Sequence, residues 1–437
     1  MKKRTWFARV SAGVAMSALL LAGCSSPATE TGGSSEAAQS PDSTASEGAA
    51  PSSDISLTYW SMWSSTENQA KVIQEAADAY TASTGIPINI EWKGRDVKNL
   101  IIPALQAGEE IDFFDQDYIF ISRNSGEYVA DLTEMAEAAG YEEHIMPVLA
   151  EKAKSYTGGV LKVMPYQPYT TGVWYNKDMF EAAGITEVPE TWDEFLEVCR
   201  KLKDSGVNAI TCNTSDGVDM LYGYQLGRYI GQDAVLEMID NCDWANVPEA
   251  YQAADDIATL FREGYMSPYA PAQYPDGQNE IGYGESCMIL NASWIPNEIA
   301  QNTGASINWG FFPWPTVEGG VDGHEASMVG GQGFGIVDGS QHKQEAFDFI
   351  LSVVTGETDA KMAEMTTTIP ADTANTTWPA AVAEAEPYFK EVTKAYEWNV
   401  GMQNNANYKD QIVDALIRLY KGELDTQGFI DTLAALK

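Results

Sequence analysis

Histidine is almost absent from this 437-residue chain. The three copies, His144, His324 and His342, are scattered without partner spacing, which excludes a zinc site or a His-based catalytic centre as a reading of the sequence. Basic residues are scarce too: 26 Lys and Arg stand against 63 Asp and Glu, for a formal charge of −37. Nucleic acid is thereby excluded as a partner, because phosphate binding needs cations to displace counterions. An acidic field can draw cationic ligands, but it more often serves only solubility. Short internal repeats are missing, which excludes a solenoid. No metal and no cofactor is expected.

Cysteine is sparse, at five copies, and the first of them closes a stretch of distinct character. Lys2, Lys3, Arg4 and Arg9 precede an apolar run over 10–21 that is too short to span a bilayer. Leu21-Ala22-Gly23-Cys24 follows. The whole reads as a secretory signal peptide, 1–23, and its end resembles the lipobox of bacterial lipoproteins. That resemblance implies that Cys24 takes a diacylglyceryl group and becomes the mature amino terminus. Each buried acyl CH2 contributes about 0.8 kcal/mol, so two chains can anchor a domain to the outer face of the cell membrane. Residues 24–53 are dominated by Ser, Ala, Thr, Gly, Pro and Glu, with no aromatic residue, and form a disordered tether. A flexible chain of that length spans roughly 30 Å.

The folded part is expected from 54 to 437. With 44% hydrophobic residues in the whole chain it has material for two cores. Cys199, Cys212, Cys242 and Cys287 allow up to two disulfides, and the sequence does not choose among the full pairings. Cys199 falls on the stripe Trp192, Phe195, Leu196, Cys199, Leu202, which equally suits a small buried hydrophobe.

Residues 55–60 alternate as a strand, and Thr66-x-x-Gln69 offers a capping box for a helix with Ala70, Ile73, Ala77 and Tyr80 on one face. A second strand over 86–92, a helix over 96–107 and an apolar segment over 111–114 complete a strand-helix alternation, the mark of parallel pairing with crossover helices. The same grammar returns in a strand at 173–175, a helix capped by Thr191 and running to about 203, and a strand over 207–212. Further helices are expected over 251–263, 343–354, 409–420 and 426–436, with a strand at 287–290. The fold class is α/β with two lobes.

Four motifs then carry a resemblance across 54–437: Tyr59-Trp60-Ser61-Met62-Trp63 before a helix; Tyr175-Asn176-Lys177-Asp178-Met179-Phe180; Pro189-x-Thr191-Trp192-Asp193-Glu194-Phe195; and Gly284-Glu285-Ser286-Cys287-Met288 leading to Asn291-Ala292-Ser293-Trp294. In order and spacing they resemble the extracellular solute-binding proteins of ABC transporters, family 1, the maltose-binding-protein-like branch serving carbohydrates. The resemblance implies a two-lobed fold with three crossings, near 165–168, 312–314 and 368–370, and a ligand cleft between the lobes. Lobe one is expected to hold 54–165 and 314–368, and lobe two 168–312 and 369–437. Proline at each crossing agrees, since its fixed φ stiffens a connection.

A sugar presents C–H faces that lie on aromatic rings and a rim of hydroxyls that donate and accept, so a carbohydrate cleft needs aromatic platforms beside carboxylates and amides. Trp294, in a loop before Pro296, stands where the family places a stacking tryptophan. Trp398, in a polar run before the last helices, and Trp63, past the first strand, are further platforms. Asp115, Gln116 and Asp117 follow the third strand at its carboxyl end. Gln167 and Tyr169 lie at the first crossing, Asp216 and Asp219 follow the strand ending near Cys212, and Gln332 sits in a glycine-rich turn. The maltose-binding protein's own cleft residues are not reproduced, so maltose does not transfer.

The expected protein is a monomeric, lipid-anchored, non-enzymatic receptor for a mono- or oligosaccharide, closing its lobes on the ligand and handing it to the permease subunits of an ABC importer. Two alternatives remain at this point: an extracellular glycoside hydrolase using a carboxylate pair, and a receptor for a polyamine or cationic peptide drawn by the charge.

Overall fold

The computed structural model describes residues 53–436. Cys24, the signal peptide and all but the end of the tether lie outside them. Among the described residues, nine strands join in one sheet: β1 (Leu57–Ser61), β2 (Ile88–Trp92), β3 (Phe113–Asp117), β4 (Met164–Asn176), β5 (Asn208–Thr211), β6 (Ser286–Ala292), β7 (Trp309–Phe312), β8 (Ala326–Ile336) and β9 (Lys394–Tyr396). The main order is β2-β1-β3-β8-β4-β6-β5, with β7 on β4 and β9 on β8. The expected parallel pairing holds for β1 with β2 and β3, and for β5 with β6. β8 runs antiparallel to β3 and β4 and makes the sheet mixed.

Two apolar cores form on this frame. In the first, Tyr59 stacks on Phe113 at 4.6 Å and Tyr166 on Phe334 at 4.6 Å. In the second, Phe195, Phe312 and Trp314 pack together with Tyr222 and Phe429. Trp314, Ala326 and Met328 belong to the second core, and Ile369, Val382 and Phe389 to the first. β4 is common to both: its start pairs with β8 and its end with β6 and β7. The register slips between Tyr166 and Tyr169, where Gln167 takes φ 44° between Pro165 and Pro168. A bulge of this kind bends the strand and re-aims side chains.

The helix Trp192–Asp204 begins as expected, with a reciprocal capping box between Thr191 and Glu194. The box expected at Thr66 does not form. The helix Asn68–Thr84 starts after Glu67, whose carboxylate instead accepts from the Ser64 N–H at 2.6 Å and is gripped by Arg95. Glu67 outcompetes Thr66 because Arg95 draws it onto the preceding loop, also bonding Met62 O at 2.6 Å. Cys199, Cys212, Cys242 and Cys287 are all buried as free thiols. None of the described helices is long and apolar enough to cross a membrane.

Candidate functional site

A cleft of about 690 Å³ opens where the two cores meet, within the size usual for small-molecule sites. One wall comes from the loop after β1 and the start of the helix Asn68–Thr84: Trp63, Thr66, Glu67, Asn68 and Gln69, with Arg95 beside them. The facing wall is the start of the helix Ile295–Thr303: Ser293, Trp294, Asn297, Glu298 and Gln301. The β4 bulge with Gln167 and Tyr169, Gln332 of β8, and Thr366 and Thr368 complete the lining. Of the expected residues, Trp63, Gln167, Tyr169, Trp294 and Gln332 therefore meet at one cleft.

Aromatic rings run along one side. Tyr169 meets Trp294 edge-on, centroids 5.0 Å apart, and Trp294 stacks on Trp398 at 6.1 Å with planes 13° apart. Trp398 thus joins the cleft through Trp294 and is not itself in the lining. Gly330 makes room for this arrangement: a Cβ there would come within 2.4 Å of the Tyr169 hydroxyl oxygen. Trp63 is only 5% exposed, and the Arg95 guanidinium covers one ring face at 4.4 Å from the centroid. It bounds the cleft more than it offers a free stacking face.

The polar candidates divide. Gln167 Nε2 donates to Thr366 Oγ1 at 2.9 Å, while Gln332 Oε1 is buried without a protein partner. Glu298 Oε2 accepts from Gln278 Nε2 at 2.8 Å and from the exposed Tyr274 hydroxyl at 3.4 Å. Burial, with Asp216 nearby, raises its pKa. Asp216 accepts from Asn291 Nδ2 at 3.0 Å beyond the cleft wall. Asp117 caps the helix Tyr118–Asn124 through the Phe120 N–H at 3.0 Å, and Gln116 accepts from the Asp117 N–H. Asp219 is buried against Gln403. These four stand outside the lining.

Asp115 has no exposed surface. Its carboxylate accepts from the Met62 N–H at 2.8 Å and from the Tyr166 hydroxyl, which in turn accepts from Trp63 Nε1 at 2.6 Å. It supports the Trp63 loop from behind, where a sugar cannot reach it. Burial pushes its pKa up from 3.8 to about 6, against the lowering effect of those hydrogen bonds. A raised native pKa means that the neutral form's stabilisation is full below pH 3.8 and lost as pH climbs through 6. The loss amounts to about 3 kcal/mol at roughly 1.4 kcal/mol per pKa unit. Unfolding free energies of wild type and Asp115→Asn, measured from pH 4 to 7, should therefore diverge across that window. Parallel curves would mean that Asp115 does not titrate there. Asp359, also raised to about 6 by burial, is common to both proteins and cancels.

Trp398 is carried by a strained segment. Asn399, Val400 and Gly401 take φ of 48°, 56° and 86°. A β-branched residue is an outlier there, at a cost on the order of 1–3 kcal/mol. Just before it, Glu397 accepts from Lys152 Nζ at 2.7 Å and from the Tyr156 hydroxyl, with Arg123 at 3.6 Å. Burial opposes its charge, but these partners outweigh it and hold the carboxyl below the ordinary glutamate range.

Among the lining residues not expected from sequence, Asn68, Gln69, Asn297 and Gln301 are amides on two helices far apart in the chain. Gln301 Nε2 donates to Asn297 Oδ1 at 3.0 Å, one turn apart, and that pairing was the one signal available in the sequence.

A cleft between two cores that share one sheet, lined by aromatic rings and amides and spanned by a continuous strand, defines a two-lobed solute-binding protein. The chain belongs to the bacterial extracellular solute-binding proteins, whose family model matches residues 63–355. Membership makes it a binding protein acting outside the cytoplasm, not an enzyme, and sets aside the hydrolase reading. It is 25% identical over 323 residues to the lactose-binding protein of Rhizobium radiobacter, 69% of this chain and 71% of that one. To the melibiose/raffinose/stachyose-binding protein MelE of Bacillus subtilis it is 25% identical over 171 residues, 39% of this chain and 38% of that one. The solved apo form of RafE from Streptococcus pneumoniae shares the fold with a TM-score of 0.72 at 18% identity, over 88% of this chain and 98% of that one.

Proposed function

We propose that this chain captures a mono- or oligosaccharide in the cleft and delivers it to the permease of an ABC importer. The observation that carries the reading is the Tyr169–Trp294–Trp398 series of rings beside a rim of amides. Rings bind the C–H faces of a sugar and amides bind its hydroxyls in both directions. Of the charged groups on the wall, Glu67 is paired with Arg95, and Glu298 is held by Gln278 and Tyr274 with its pKa raised by burial, so the lining favours a neutral ligand over a polyamine or cationic peptide. The names of the lactose- and raffinose-binding relatives point the same way.

Lactose, melibiose, raffinose and stachyose form the first panel. A sugar at 100 times its dissociation constant adds about 2.7 kcal/mol and raises the unfolding midpoint. No shift with any of them, alongside a shift with spermidine that collapses in moderate salt, would overturn the carbohydrate reading.

Lobe closure is the mechanism of this proposal: a sugar touching both walls draws the open-closed equilibrium toward closed. The radius of gyration from small-angle scattering is expected to fall on saturation, and an unchanged value at full occupancy would count against closure. The lobe division expected from sequence stays part of the proposal.

The lipid anchor at Cys24 and a monomeric receptor complete the reading. Cys24→Ser is expected to release the protein from membranes in a detergent-partition assay while sugar binding stays unchanged. Equal retention of the variant would refute the anchor.

A further inference from the structure

We propose that Glu397 is the positioning residue of the aromatic wall: its buried carboxylate, held by the part-buried Lys152 and Tyr156 and the exposed Arg123, ties the segment carrying Trp398 across the two cores and so sets the Trp398–Trp294 stack. The inference rests on the reading of that wall as the solute-binding surface.

The partners come from opposite sides. Lys152 belongs to the helix Pro147–Ser155, whose Val148, Leu149 and Ala153 pack in the first core, and Arg123 belongs to the helix Tyr118–Asn124, whose Ile121 packs there too. Tyr396 and Val400, on either side of Glu397 and Trp398, pack in the second core. Glu397 is therefore where a second-core segment is held by first-core charges. Lys152 Nζ also donates to Ala395 O at 3.3 Å, and the Glu397 N–H donates to Gln232 Oε1, so the backbone is gripped on both sides of the carboxylate. Tyr156 lies under both cations, 5.1 Å from Arg123 and 5.4 Å from Lys152, and keeps the cluster compact.

The backbone supplies an independent reason for such a grip. The left-handed run at Asn399 and Val400 follows directly, with the Asn399 side chain buried beside Asp219. Strain of this kind persists only where the surroundings over-determine it. The charge cluster supplies such a restraint at the start of the turn. A hydrophobic pair would fill the space but would not fix the segment's register, whereas a paired charge penalises any shift that leaves it unpaired and buried.

The test uses the full-length protein without ligand, labelled with 5-fluorotryptophan. The Trp398 fluorine resonance is assigned by its loss in Trp398→Phe. In Glu397→Gln this resonance is expected to move and to gain a solvent isotope shift between H2O and D2O, reporting a ring that has left Trp294. Lys152→Met, which breaks the tie from the other core, should do the same, and Lys152→Glu with Glu397→Lys should restore the resonance in part. A Trp398 resonance unchanged in a folded Glu397→Gln or Lys152→Met protein would overturn the proposal, since a merely structural pair would lower the unfolding midpoint and leave the stack intact. No sugar enters the measurement, so failure of the carbohydrate reading would show in the panel and not here.

Discussion

Trp294→Ala is expected to weaken sugar binding by at least tenfold, the largest loss for any single lining residue. The indole is the hub of the wall: it receives the edge of Tyr169, stacks on Trp398 and packs against both cores. Removing it takes away its own face and the surface that orders two other rings. An aromatic hot spot of this kind is worth about 2 kcal/mol or more, and tenfold in affinity is about 1.4 kcal/mol. Because Trp294 is only half-buried, the unfolding free energy should fall by less than the about 3 to 5 kcal/mol of a core tryptophan. Calorimetric titration and urea unfolding on the same variant separate the two effects. Unchanged affinity with a lowered midpoint would make Trp294 a structural residue.

The largest loss of stability is expected at Arg228, which has no exposed surface and no carboxylate among its hydrogen-bond partners. Its Nε and Nη2 donate to Trp314 O at 3.2 and 2.9 Å, and Nη1 donates to Gly323 O at 2.6 Å and Ala326 O at 2.9 Å. One guanidinium thus satisfies three carbonyls between β7 and β8. Arg228→Met preserves the apolar stem and takes the guanidinium from all three, of which Gly323 O keeps only the Ala326 N–H at 3.3 Å. At about 1–3 kcal/mol for each unsatisfied buried group, the variant should lose about 3 kcal/mol or more. Arg228→Lys should recover only part, because an ammonium lacks the planar fork. A Met variant within about 1 kcal/mol of wild type in urea unfolding would mean that the carbonyls find other donors.

What the sequence made legible follows from periodicity. The helices Trp192–Asp204, Lys343–Val354 and Lys409–Tyr420 each bury one stripe and were readable to within a residue or two. The helix Val218–Ile230 was not read, because it is buried from Val218 through Arg228 and shows no polar face to mark a period. β4 was legible only in its last residues, since Pro165 and Pro168 argue against a central strand and the bulge at Gln167 that accommodates them has no sequence mark. At the cleft, the aromatic candidates were reachable because a loop tryptophan beside a strand end is conspicuous. The carboxylates after β3 misled for a physical reason: a strand end can turn its acids to solvent or use them to hold the next turn, and Asp115 and Asp117 do the second.

The four free thiols bear on how this protein can be made and kept. Cys199, Cys212, Cys242 and Cys287 are each at most 3% exposed, and burial raises the Cys199 and Cys212 thiols well above their ordinary range. A neutral, shielded sulfur is a poor nucleophile and a slow target for oxidants. The described residues thus call on no oxidative folding machinery, and residues 53–437 made in a reducing cytoplasm should fold as they do outside it. Whatever acyl transfer falls to Cys24 meets no exposed thiol among them.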